Sequence, residues 1–195
     1  MSKTFSKQTI QSKVSQWSRL LFLSATLTLV NVKEIKAVNF PDGTRAFESG
    51  VLLLDSYSTF NSVRTRQAIY YFDLELPKDA GEPLQKIMIK QRTGGDEIKF
   101  RSERTKAYLG DHNNKQEKLA VSANYNEDSG IIEVNLDKPV SPGSKFTIGL
   151  KPKRNPDFGG VYLFGVTAFP SGQKARGLYL GAGRLHFYRN NDFHF

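Results

Sequence analysis

From residue 38 onward, short runs in which apolar and polar residues alternate recur between turn residues, and no window of helical period is long enough to matter. Tyr70, Phe72, Leu74 and Leu76 alternate with Tyr71, Asp73 and Glu75. Ile87 and Ile89 alternate with Lys86, Met88 and Lys90, and Phe146, Ile148 and Leu150 with Thr147, Gly149 and Lys151. A period of two sends successive side chains to opposite faces of a strand, so each run has one dry face and one wet face. Further candidate strands are Val51 to Tyr57, Glu97 to Tyr108, Leu119 to Tyr125, Ile131 to Asp137, Val161 to Phe169 and Leu178 to Tyr188. Between them lie Gly- and Pro-rich turns such as Gly94-Gly95-Asp96, Ser141-Pro142-Gly143 and Pro170-Ser171-Gly172. About nine strands predict an all-β fold, a single antiparallel β-sandwich of Ig-like type, with a partly open barrel as the alternative. A short helical turn is expected around Asp79 to Leu84.

The chain has 195 residues, enough to bury a self-sufficient core. With 38% hydrophobic and 24% charged residues it is an ordinary globular composition, which excludes wholesale disorder, a collagen-like repeat and a coiled coil. Cysteine is absent. Disulfide frameworks, zinc ribbons, iron–sulfur clusters and thiol nucleophiles all need a thiolate and are excluded with it.

The N-terminus reads as a signal peptide over residues 1 to 37. Lys3, Lys7, Lys13 and Arg19 precede an uncharged apolar run from Leu20 to Val32, and Ala37 supplies the small residue before a cut, two positions after Ile35. A helix over that run reaches only about 20 Å, short of the roughly 30 Å hydrocarbon core, so cleavage after Ala37 is favoured over an uncleaved anchor or a buried amphipathic helix. Residues 1 to 37 carry six of the 28 Lys and Arg and one of the 19 acids, so the net charge falls from +9 to +4 once they are removed. The basicity of the whole chain is therefore not read as a nucleic-acid footprint, and an exported protein rarely meets chromosomal nucleic acid. Residues 38 to 195 are expected to form one domain, with 190 to 195 as a loose tail.

Two strands depart from clean alternation. Val161 to Phe169 is apolar on both faces, as in a central strand covered on each side or a strand at a protein interface. Leu163, Phe164 and Val166 are expected in the core. Gly181-Ala182-Gly183 interrupts the next strand and, with no helix following, marks a bulge or a close backbone approach rather than a nucleotide-binding loop.

Three separated strings carry a resemblance: Tyr70-Tyr71-Phe72-Asp73-Leu74-Glu75-Leu76-Pro77-Lys78-Asp79-Ala80-Gly81-Glu82-Pro83-Leu84, then Arg154-Asn155-Pro156 with Gly160 to Pro170, and finally Gly183 to Tyr188. The chain resembles the cyanobacterial secreted proteins grouped as family 2808 of domains of unknown function, from about Val38 to Tyr188. The resemblance implies a signal peptide and one exported domain, and it brings no catalytic residues.

Chemical signals are sparse. His112, His186 and His194 fall into no ligand spacing, and a transition-metal pair of His186 and His194 beside Asp192 is outweighed by ordinary surface positions. Oxygen-rich turns at Asn124 to Asp128 and Gly95 to Glu97 lack the calcium-loop pattern. No Gly-x-Ser-x-Gly elbow exists, and a carboxylate pair for glycoside hydrolysis is a tertiary property that sequence cannot select. The only Trp, Trp17, belongs to the signal, which leaves Tyr57, Tyr70, Tyr71 and Tyr125 as sugar platforms. The aromatic ending Phe193 and Phe195 matches an outer-membrane barrel strand only at its tip, since Asn191 and Arg189 are polar.

Basic residues give the better lead. Arg101, Arg104 and Lys106 lie on one candidate strand and its end, and Lys151, Lys153 and Arg154 at the end of another. Such clusters suit phosphate or carboxylate groups of envelope polymers, against the bland reading of charges that keep strand edges soluble. The candidate ligand-binding residues are thus Arg101, Arg104, Lys151, Lys153 and Arg154, with no catalytic residue, metal ligand or cofactor assigned. The expectation is a non-catalytic binding or structural module of the periplasm or cell envelope, partnered by an anionic envelope polymer or another envelope protein, with an envelope-acting hydrolase as the alternative.

Overall fold

The computed structural model describes residues 38–39 and 42–189. The expected signal over residues 1–37, its cleavage position at Ala37 and the expected loose tail over 190–195 lie outside the described residues.

A two-residue pair, β1 (Val38–Asn39) with β2 (Arg45–Ala46), precedes ten longer strands. They are β3 (Leu52–Ser58), β4 (Tyr70–Leu76), β5 (Leu84–Thr93), β6 (Lys106–Gly110), β7 (Lys115–Leu119), β8 (Val121–Asn126), β9 (Ile131–Val140), β10 (Ser144–Leu150), β11 (Gly160–Pro170) and β12 (Leu178–Phe187). One sheet has the order β3-β4-β10-β6-β7 and the other β12-β11-β5-β9-β8, every pairing antiparallel. The expected antiparallel β-sandwich is what forms. Neighbours such as β4 and β10 are distant in sequence, which is the crossed connectivity of Ig-like sandwiches rather than an up-and-down barrel.

The alternation explains the core. In β4 the even-numbered residues Tyr70, Phe72, Leu74 and Leu76 are all fully buried, and β10 opposes Ile148 to Phe72 and Phe146 to Leu74. From the second sheet Phe164 meets Tyr70 and Phe72 with ring centroids 6.0 Å apart, so the two inner faces interlock through aromatic edges.

Four expectations need correction. Glu97 to Tyr108 is not one strand: a single bridge joins Phe100 to Pro152, Ser102–Arg104 form a 3-10 turn, and only Lys106 onward is strand. No apolar residue occurs between Phe100 and Ala107, so nothing draws that stretch onto the core. Leu119 to Tyr125 is a corner, because β7 ends at Leu119 in one sheet and β8 begins at Val121 in the other. Asp79 to Leu84 forms no helix; a tight turn at Lys78 and Asp79 leads into β5. Leu163 is only half-buried, because it points away from the face that carries the fully buried Tyr162, Phe164, Val166 and Ala168.

Strand β11 is interior to its sheet, between β12 and β5, yet covered fully on one face only; Val161 on the other is exposed. The Gly-Ala-Gly run performs both tasks expected of it. Gly181, at φ +103°, lies at a register shift in which Val166 opposes Gly181 but Thr167 opposes Tyr179. Gly183 lies so close to β3 that a Cβ there would fall 2.8 Å from Ser56.

Candidate functional site

The bridge between Phe100 and Pro152 organises the basic residues. Arg101 N–H donates to the Lys151 carbonyl at 2.8 Å and Lys153 N–H to the Lys99 carbonyl at 2.7 Å. In this register Lys99 opposes Lys153 and Arg101 opposes Lys151. Like charges directly opposed destabilise a strand pair, so counter-charge or a ligand must compensate.

Carboxylates answer part of that demand. Glu127 accepts from Lys99 at 3.0 Å and from Lys153 at 2.9 Å. Its hydrogen bonds to Lys153 and Lys99, and their charges, hold the Glu127 carboxyl below its ordinary range, while Glu127 raises Lys99. Arg154 pairs with Asp157 at 2.6 Å, and Asp157 also pairs with Arg64 at 3.0 Å. The Lys151 ammonium donates to the carbonyls of Arg66 and Ala68 at 2.8 and 3.0 Å. Partial burial, then the charges of Arg101 and Arg104, lowers its pKa from the ordinary lysine value.

Asn155 ties this surface to the core. It is fully buried, donates from Nδ2 to the carbonyls of Phe60 and Ser62 at 2.8 Å each, and accepts from the Tyr70 hydroxyl at 2.8 Å. Its N–H donates to the Thr65 carbonyl at 2.7 Å, and Arg64 N–H donates to the Pro156 carbonyl at 3.0 Å. Arg64 adopts φ +59°, a left-handed conformation that costs about 1 kcal/mol in a non-glycine residue. The hydrogen bonds to the 154–157 turn hold the 64–66 segment in this strained conformation.

The result is a cleft of about 500 Å³ lined by Arg66, Lys99, Arg101, Lys153 and Arg154, with Asp96, Glu97, Asn155, Pro156 and Asp157. Of the five residues expected from sequence, it unites Arg101, Lys153 and Arg154. Arg104 and Lys151 line a different depression of about 390 Å³ with Lys106, Glu103, Ile69, Tyr71 and Gly149. Among the described residues no carboxylate pairs with Arg66, Arg101 or Arg104, whereas Lys153 and Arg154 are paired. Arg66 and Lys99 escaped the sequence reading, although Arg64-Thr65-Arg66 and Lys99-Phe100-Arg101 show the same alternation of cation and spacer.

The acidic groups of the cleft are engaged. Asp96 accepts from the Tyr162 hydroxyl at 2.5 Å and from Asp157 N–H at 2.9 Å, and Glu97 accepts from the Tyr125 hydroxyl at 3.1 Å. Burial first, and the adjoining carboxylates after it, push both phenols up to about 12. The oxygen-rich turns weighed for calcium thus serve lysine and tyrosine partners. His186 stacks near Tyr188, with centroids 6.4 Å apart, while Asp192 and His194 lie outside the described residues. Of the tyrosines considered as sugar platforms, Tyr70 is fully buried and only Tyr57 is largely exposed. No helix among the described residues is long and apolar enough to cross a membrane.

Fold and site together define an antiparallel β-sandwich with an arginine- and lysine-lined cleft at the Phe100–Pro152 bridge. Residues 44–187 match a family described as a protein of unknown function, DUF2808, and the chain belongs to that family. No curated protein matches it. Among solved structures, it is similar to a collagen-binding domain from a Staphylococcus aureus adhesin, at 10% identity and a TM-score of 0.39 over 72% of this chain and 99% of that one. It is equally similar to the collagen-binding subdomain of the Enterococcus faecalis surface protein ACE, at 10% identity and a TM-score of 0.39 over 67% and 95% of the two chains. No ligand is carried over from either.

Proposed function

We propose that this chain is an exported single-domain, non-catalytic binding module of the periplasm or cell envelope, and that it engages an anionic envelope polymer through the cleft at the Phe100–Pro152 bridge. The observation that carries the reading is the pair Arg66 and Arg101, two guanidinium groups lining one cleft with no carboxylate partner among the described residues. Guanidinium forks match phosphate, sulfate and carboxylate oxygens, and Lys99, Lys153 and Arg154 add field around them. Arg104 and Lys151 extend the basic surface as a secondary contact. Binding is favoured over the hydrolytic alternative because each acidic residue of the cleft already holds a hydrogen-bonded or ionic partner. Export rests on the charge step, apolar run and small residue of positions 1 to 37.

Calorimetric titration with inorganic polyphosphate and with a sulfated glycan, each at low and high salt, tests the reading. Saturable binding that weakens steeply with salt is expected, since exposed charges are screened over a Debye length of about 8 Å at physiological ionic strength. Failure of both polyanions to bind at low salt would contradict it.

A further inference from the structure

We infer that Asp55, Asp73 and His112 form a site for one divalent first-row metal ion, represented by Zn²⁺, on the outer face of the first sheet. This goes beyond the proposed function and lies on different residues.

Asp73 stands on the polar face of β4, between the core residues Phe72 and Leu74, where a carboxylate would ordinarily be solvated. It is instead only 4% exposed. The connection between β6 and β7 covers it: His112 N–H donates to Asp73 Oδ1 at 3.0 Å, and His112 Nδ1 lies 2.5 Å from Asp73 Oδ2. Stacking of the His112 ring on Tyr57, at 4.7 Å between centroids and 15° between planes, fixes the imidazole.

Asp55 completes the set. It is the direct partner of Asp73 in the β3–β4 ladder, beside a register shift, so two carboxylates oppose each other across the strands. One atom from each of the two carboxylates and the imidazole lies within 4.8 Å of the others. Opposed like charges, one of them buried, are costly without a cation. Among the described residues neither carboxylate pairs with Lys or Arg, and the side-chain partner of Asp73 is His112, a counter-charge only when protonated. Lys115, the first residue of β7, also approaches, but its ammonium donates to the His112 carbonyl and lies over the Tyr71 ring.

The donor chemistry selects the class of ion. One imidazole nitrogen with two carboxylate oxygens suits Zn²⁺ or Mn²⁺, whereas Ca²⁺ takes six to eight oxygens. At metal–donor distances of about 2.0–2.2 Å, donors in a tetrahedron are about 3.3 Å apart, so the His112–Asp73 contact need open by less than about 1 Å. Asp55 is exposed, which leaves the remaining coordination position to water. No sequence motif marks the set, because its members come from two strands and a loop.

Zn²⁺ titrated by calorimetry into the chelator-stripped full chain, with Co²⁺ absorption as a second readout, tests the site. One equivalent should bind and raise the melting temperature, and Asp55→Asn and His112→Gln should each weaken it at least about tenfold. Should His112→Gln fail to fold, Asp55→Asn, at an exposed carboxylate, decides alone. Absence of saturable one-equivalent binding, or an unchanged Zn²⁺ affinity in Asp55→Asn, would overturn the inference and leave Asp73 and His112 as a hydrogen-bonded clasp on the loop.

Discussion

The Tyr70 hydroxyl donates a 2.8 Å hydrogen bond to Asn155 Oδ1, and both side chains are fully buried. Through this contact β4, an interior strand of one sheet, fixes the turn that carries Arg154 and Asp157 into the basic cleft. Burial raises the Tyr70 pKa beyond any physiological range, so the phenol stays a donor.

Replacing Asn155 by Ala should therefore act on stability and on the cleft together. The change orphans the Tyr70 hydroxyl and the Ser62 carbonyl, at about 1 kcal/mol or more each, or about 2 kcal/mol in sum, while the Phe60 carbonyl keeps the Ser58 hydroxyl as a donor. Tyr70→Phe, which orphans one acceptor, should cost about 1 kcal/mol. Chemical denaturation that found Asn155→Ala within 0.5 kcal/mol of wild type, a margin of about the size of a neutral surface change, would refute the anchoring role.

Packing of β12 against β3 is tested at Gly183. A Cβ there would sit 2.8 Å from Ser56 Cβ and 2.9 Å from Phe72 Cε1, so Gly183→Ala should cost about 1–3 kcal/mol by overpacking. Phe164→Asp, an unpaired charge in the aromatic centre, should cost several kcal/mol and abolish cooperative melting. Unaltered thermal unfolding of either variant would place these residues outside the core.

The strands were legible because burial on one face writes a period of two into β4, β5 and β10. The corner at Ala120 was not, since a strand that changes sheets keeps its alternation and leaves no mark in sequence. The cleft was legible in part. Arg101, Lys153 and Arg154 are near one another in sequence or belong to segments joined by a bridge, whereas Arg66 arrives through the buried Asn155 contacts, which no local pattern encodes. Asp73 read as a solvated strand residue, because a loop from 39 positions away is what covers it.

Alkaline stability should follow the tyrosines. Tyr125 and Tyr162 are pushed up to about 12, chiefly by burial, from an unfolded value of 10.0, and Tyr70 is raised as well. The folded chain thus holds protons that the unfolded chain releases, so stability present below pH 10 is lost as pH rises towards 12. Lys151, lowered in the fold, works in the opposite direction, but Tyr71 and Lys99, both raised, act with the three tyrosines. Phenolate absorbance followed with circular dichroism should show these tyrosines ionising only as the fold is lost; ionisation of all eight tyrosines near pH 10 with the fold intact would contradict the burial.

Export makes a separate prediction. Chain sequenced from the envelope fraction should begin at Val38, directly after Ala37. An intact Met1 on that material would replace cleavage by anchoring.

Unpaired guanidinium groups at the Phe100–Pro152 bridge are proposed to bind a polyanion. Polyphosphate affinity of Arg66→Gln/Arg101→Gln, measured by calorimetry beside wild type and a Lys86→Gln control on the other sheet, tests it most directly. The double variant should melt within about 1 kcal/mol of wild type, because exposed charges contribute little to stability. It should bind at least about tenfold more weakly with a shallower salt dependence, while the control is unchanged. Equal affinity and salt dependence in the double variant and wild type would remove the cleft as the binding site.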